Sequence, residues 1–201
     1  MNRREAIEKT ALALGYAISA PVLSGVLNGC KPSPELSYQP VFFNEKQAET
    51  LSLLAEIIIP KTDTPGAIEA GVPSFMDTLL NEFYGKEDQD KFLEGLSEFE
   101  NKAKETLGNN FSSASAEERQ KFFETIHRES LEKSQGGDSS GWWNAGSSSE
   151  KPFIIKVKEM TLLGFFTSEI GATQVLQYNP APGPYQGCVP LTQVGKAWAT
   201  G

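Results

Sequence analysis

From Asn44 to Ile170 the chain carries five blocks in which apolar residues recur every three to four positions, the spacing of helices with one buried face. In the first block Leu51, Leu54, Ile57 and Ile58 follow Asn44 and Gln47, which have the spacing of a capping box, so the pattern predicts a helix over 44–59 that stops at Pro60. The second opens at Pro73 and buries Phe75, Met76, Leu79, Leu80 and Phe83. The third, over 86–107, buries Phe92, Leu96, Phe99 and Ala103 and ends at Gly108. The fourth starts from a second capping box, Ser115 with Glu118, and carries Phe122, Phe123, Ile126 and Leu131. The fifth, over 153–170, is apolar around much of its circumference, through Ile154, Ile155, Val157, Met160, Leu162, Leu163, Phe165 and Phe166. Such a helix is buried on most sides, so it is expected either at the centre of the bundle or packed partly on another protein, with Gly171 as its C-cap.

Breakers separate the blocks. The run Lys61-Thr62-Asp63-Thr64-Pro65-Gly66-Ala67 reads as a turn that bonds its own backbone, with one helical turn over 67–70 closed by Gly71. Residues 134–150 are rich in Gly and Ser around Trp142 and Trp143, whose large apolar surfaces need cover from the domain or from a partner. Prolines extend the tail over 178–190. With no strand pattern or internal repeat, the expected fold is mostly α: an irregular helical bundle with an extended Pro/Gly-rich C-terminal tail.

The first 29 residues follow a different plan. Arg3 and Arg4 precede an uncharged stretch broken by Gly15, Pro21 and Gly25, which ends in Leu27-Asn28-Gly29-Cys30. A positive start, a short apolar middle and a small residue at the cut describe a signal peptide, the paired arginines make it a twin-arginine candidate, and the ending reads as a lipobox with Cys30 as the acylated residue. The chain accordingly divides into a signal peptide over 1–29, a Pro-rich tether over 30–40 and a domain over 41–201, exported and lipid-anchored to a bacterial membrane on its periplasmic or envelope face. Removing 1–29 takes away Arg3, Arg4 and Lys9 with Glu5 and Glu8, leaving 15 basic against 24 acidic residues, a net charge of −9. That sign disfavours nucleic acid and anionic lipid as surface partners, so attachment would rest on the lipid.

Candidate chemistry is sparse. His127 is the single histidine, at the edge of a helical apolar face, and reads as structural because no positioned partner for a general base can be identified. Glu169 falls inside the most apolar block, where a charge needs a partner, and a salt bridge or buried hydrogen bond is expected for it. With Cys30 reserved for the lipid, Cys188 is either a buried inert thiol or one that pairs with another chain. No Gly-x-Gly-x-x-Gly, P-loop or Cys-x-x-Cys motif marks a nucleotide, flavin or metal site. An export tag of the kind that carries folded, often cofactor-loaded proteins then suggests that the cofactor resides in a partner that travels with this chain.

Two stretches carry a resemblance that sharpens this expectation: Ile57-Ile58-Ile59-Pro60-Lys61-Thr62-Asp63-Thr64-Pro65-Gly66-Ala67, continuing through Pro73 to Asp77, and Thr161-Leu162-Leu163-Gly164-Phe165-Phe166-Thr167-Ser168-Glu169-Ile170-Gly171, continuing to Tyr178 and the Gly187-Cys188-Val189-Pro190 tail. Through them the chain resembles the gluconate 2-dehydrogenase subunit 3 family. The resemblance implies a small subunit without catalytic, cofactor-binding or metal-binding residues. Such a subunit escorts a larger flavoprotein of the glucose-methanol-choline class that holds FAD and oxidises a sugar or glycoside, with a cytochrome c among the candidate electron acceptors. Arg3 and Arg4 would then be the export signal and Cys30 the anchor; Thr62, Asp63, Thr64, Pro65, Trp142, Trp143, Glu169 and Cys188 are the interface candidates. The alternatives are a solitary lipid-anchored periplasmic binding module and an enzyme in its own right.

Overall fold

Helix α1 spans Glu45–Ile58 because Asn44 and Gln47 cap it reciprocally: the Gln47 amide donates to Asn44 Oδ1 at 3.0 Å, and the Asn44 amide donates to Gln47 Oε1 at 3.1 Å. A computed structural model of the chain describes residues 36–134, 151–177, 183–184 and 187–199, all within one compact unit that begins at Leu36. After α1 come α2 (Val72–Phe83), α3 (Lys86–Leu107), a 3-10 turn (Phe111–Ser113), α4 (Ala116–Ser134), α5 (Phe153–Thr167), a π-helical turn (Gly171–Val175) and a short α6 (Leu191–Val194). No strand occurs among the described residues, and the fold is mostly α. One parallel bridge joins Gln177 to Trp198.

The predicted caps hold, the one at Gly171 excepted. Gly71 and Gly108 adopt φ of 74° and 70°, the left-handed conformation that an L side chain resists, at the start of α2 and the end of α3. Ser115 and Glu118 exchange bonds at the head of α4. The four residues expected on the buried face of α3 are its buried set.

α5 packs against α1, α2, α3 and α4, which makes it the central helix, as its all-round apolarity requires. Small residues permit close approach: a Cβ on Gly164 would fall 2.6 Å from the Phe75 ring of α2, and one on Gly95 2.8 Å from Phe153. Phenylalanine rings connect the layers, with Phe92 meeting Phe43 and Phe153, and Phe99 meeting Phe111, Phe122 and Phe153, all at centroid separations of 5.1 to 5.9 Å.

Several expectations are corrected. Phe83 is 74% exposed and Leu131 40%, so α2 and α4 each present a large apolar residue at the surface. Packing starts before Val41, since Leu36 and Tyr38 already lie against the core. α5 stops at Thr167, three residues early, because Ser168 turns to an extended ψ of 154° while its hydroxyl donates to Phe165 O at 2.7 Å and accepts the Gly171 amide at 2.9 Å. Gly171 is therefore not a left-handed C-cap; it opens the π-helical turn pressed against the Phe165 carbonyl, where a Cβ has no room.

Candidate functional site

The connection between α1 and α2 is built around one carboxylate. Glu56, in the last turn of α1, accepts the Lys61 amide on Oε1 at 2.9 Å and the Ile68 amide on Oε2 at 3.0 Å. Gly66 lies against both oxygens, and a Cβ there would collide with them. The Ala67 amide donates to Ile59 O at 2.9 Å, and the Thr62 amide to Thr64 O at 3.0 Å. Lys61 Nζ pairs with Glu69 Oε1 at 2.5 Å, an exposed bond that raises the lysine pKa and lowers that of the carboxyl. Thr62, Asp63 and Thr64 are exposed, Pro65 is half-buried, and Gly66 and Ala67 are buried. The turn is thus a fixed scaffold whose tip faces solvent.

Asp77 forms a second such scaffold. It is 2% exposed and faces three successive amides: Val41 on Oδ2 at 2.7 Å, then Phe42 at 3.1 Å and Phe43 at 2.9 Å on Oδ1. Three converging N–H groups satisfy a buried carboxylate without a cation, and they fix the strap that leads into α1. Burial and the nearby Asp77 push the Tyr38 phenol up to about 12.

The remaining predicted residues are dispersed. Glu169 is exposed beyond the end of α5, so it needs no buried partner; its backbone carbonyl accepts the Thr173 hydroxyl at 2.7 Å. Cys188 is an exposed free thiol, which removes the buried alternative. Trp142, Trp143, Arg3, Arg4 and Cys30 lie outside the described residues. His127 is half-buried and stacks on Phe123 at 5.7 Å, with Nε2 3.2 Å from Lys158 Nζ. Burial and that cation depress its pKa. The lysine donates to a neutral imidazole there, an arrangement that joins α4 to α5.

Sequence reasoning missed Glu56 and Asp77 as organising residues. The signal for Asp77 was its register: Pro73, Asp77 and Leu80 follow one helical stripe, and all three are buried. Glu56 gave none, because its partners are backbone amides on the far side of a turn. A cavity of about 220 Å³ between α1, α3 and the 3-10 turn is lined by Lys46, Thr50, Glu100, Lys104 and Phe111 among others, and none of the predicted site residues borders it. Among the described residues no three His, Cys, Asp or Glu side chains cluster as a metal site would require, and no helix is long and apolar enough to cross a membrane.

The family model described as Gluconate 2-dehydrogenase subunit 3 matches residues 45–183. Comparison with curated proteins and with solved structures gave no match.

Proposed function

The chain belongs to the gluconate 2-dehydrogenase subunit 3 family, and from that membership we propose that it is the non-catalytic small subunit of a flavin-dependent sugar or glycoside dehydrogenase. The match carries the reading: it begins at the first residue of α1 and runs past the π-helical turn, so it takes in the helical body and not one motif. In this role the chain binds and stabilises a larger FAD-holding subunit of the glucose-methanol-choline class. Arg3 and Arg4 direct export of the folded pair, and a lipid on Cys30 retains it at a bacterial membrane facing the periplasm or envelope. A cytochrome c is among the candidate electron acceptors. Substrate specificity belongs to the large subunit.

The exposed thiol of Cys188 supports contact with that subunit, through a disulfide between the chains or through its surroundings. The test is expression of a tagged Cys30→Ser chain in the native host and purification without reductant. A yellow complex with a second, larger chain is expected, and a band that splits only on reduction would place Cys188 at the junction. A colourless, folded single chain would favour the solitary binding module.

A further inference from the structure

We propose that the end of α5 is a two-state joint: the Ser168 hydroxyl decides whether the chain breaks there, as it does in this structure, or runs on as helix, and the joint thereby closes or releases the C-terminal tail. The sequence admits the continued helix. No proline occurs between Phe153 and Gln177, and Leu163, Phe166 and Ile170 have the spacing of one helical stripe, which a continued α5 would align. The break rests on the Phe165 carbonyl being taken by Ser168, whose hydroxyl donates to it at 2.7 Å and whose amide donates at 3.2 Å. The same hydroxyl accepts the Gly171 amide at 2.9 Å. Glycine at 171 suits both forms, since only the broken one needs the missing Cβ. One side chain thus supplies the bonds that a further helical turn would otherwise make, and because exchanging one hydrogen bond for another changes little net, the two forms lie close in free energy.

What the joint moves is a clasp. Gln177 holds residues 194–199 against the end of the π-helical turn: its amide donates to Ala197 O at 2.9 Å and its carbonyl accepts the Ala199 amide at 2.8 Å. Its side-chain nitrogen donates to Val194 O at 2.8 Å and to Lys196 O at 2.5 Å, and Lys196 Nζ donates to Gln174 O at 2.8 Å. Among the described residues of 187–199 none belongs to the core or packs against it, and Trp198 is 49% exposed, so these polar bonds are the attachment. They form in one register only. The bond from the Leu176 amide to Gly171 O spans five residues where an α-helix spans four. Converting that turn to α geometry slips everything after it by one position, which swings Gln177 by about 100° around the helix axis and away from its partners.

The test compares the full wild-type chain with Ser168→Ala, Ser168→Thr and Gln177→Ala. Two readouts are followed: the backbone carbon chemical shifts at position 168, where ψ is 154° in the broken form, and the rate of trypsin cleavage after Lys196 in the clasp. Ser168→Ala should move the shifts at 168 from extended to helical and speed cleavage by about tenfold while the melting temperature of the body holds. Ser168→Thr, which keeps the hydroxyl, should match the wild type in both. Gln177→Ala should speed cleavage equally and leave the shifts at 168 in place, which separates the clasp from the joint. Extended shifts in a folded Ser168→Ala, or helical shifts with cleavage unchanged, would overturn the proposal. Should Ser168→Ala not fold, hydrogen exchange on the wild-type chain decides: the Gln177 and Ala199 amides must exchange together and well before the amides of α5, and protection equal to that of α5 would overturn the proposal.

Discussion

At the scale of single residues, the two carboxylates that organise this molecule both work through backbone amides. Removing Asp77 leaves the Val41, Phe42 and Phe43 amides without their acceptor, so Asp77→Ala should cost about 2–4 kcal/mol in urea denaturation and abolish exchange protection at those three amides. Asp77→Asn, which keeps one accepting oxygen, should cost less. His127 gives the fold a pH dependence. Because its folded pKa lies below the ordinary 6.5, the unfolded chain binds the proton more readily, so its contribution to stability is fully present above about pH 6.5 and is lost as pH falls through that value toward the depressed folded pKa. Melting temperature followed from pH 8 to pH 5 should show this decline, and His127→Gln should flatten it. Neither the Lys158 contact nor the Glu56–Ile68 bond could be read from the sequence, since partners 31 and 12 residues apart are brought together only by the tertiary fold.

At the scale of elements, the helices were legible where a capping signal met an apolar stripe. Asn44 with Gln47, Gly108, and Ser115 with Glu118 each mark the terminus they appear to mark, because capping is satisfied within a few residues and needs nothing from the rest of the chain. The end of α5 was not legible: hydrophobicity continues through Ile170, but the Ser168 hydroxyl competes for the Phe165 carbonyl and turns the backbone first. That rearrangement depends on the missing side chain at Gly171. Gly171→Ala should therefore destabilise by roughly 1–3 kcal/mol, and Gly164→Ala by a similar amount through the Phe75 contact, both readable in chemical denaturation. Phe83 shows the opposite failure, for periodicity marks it as core although it is 74% exposed among the described residues.

At the scale of the whole molecule, a central helix surrounded by four others places the phenylalanine cluster where each layer depends on it. Phe92 is 2% exposed and touches rings from the strap and from α5, so Phe92→Ala should cost about 3–5 kcal/mol and lower the melting temperature of the entire domain in one transition. The same connectedness determines how the domain bears a pull. Tension arriving along the chain from its N-terminal side meets the Val41 to Phe43 amides before it reaches α1, and the Asp77 carboxylate hands the load to α2. From α2 it passes through Phe75 and Gly164 into α5. Once the Leu36 and Tyr38 contacts give way, the backbone bonds that resist such a pull are sheared together as a short charge-assisted cluster, and not peeled one by one from a helix end.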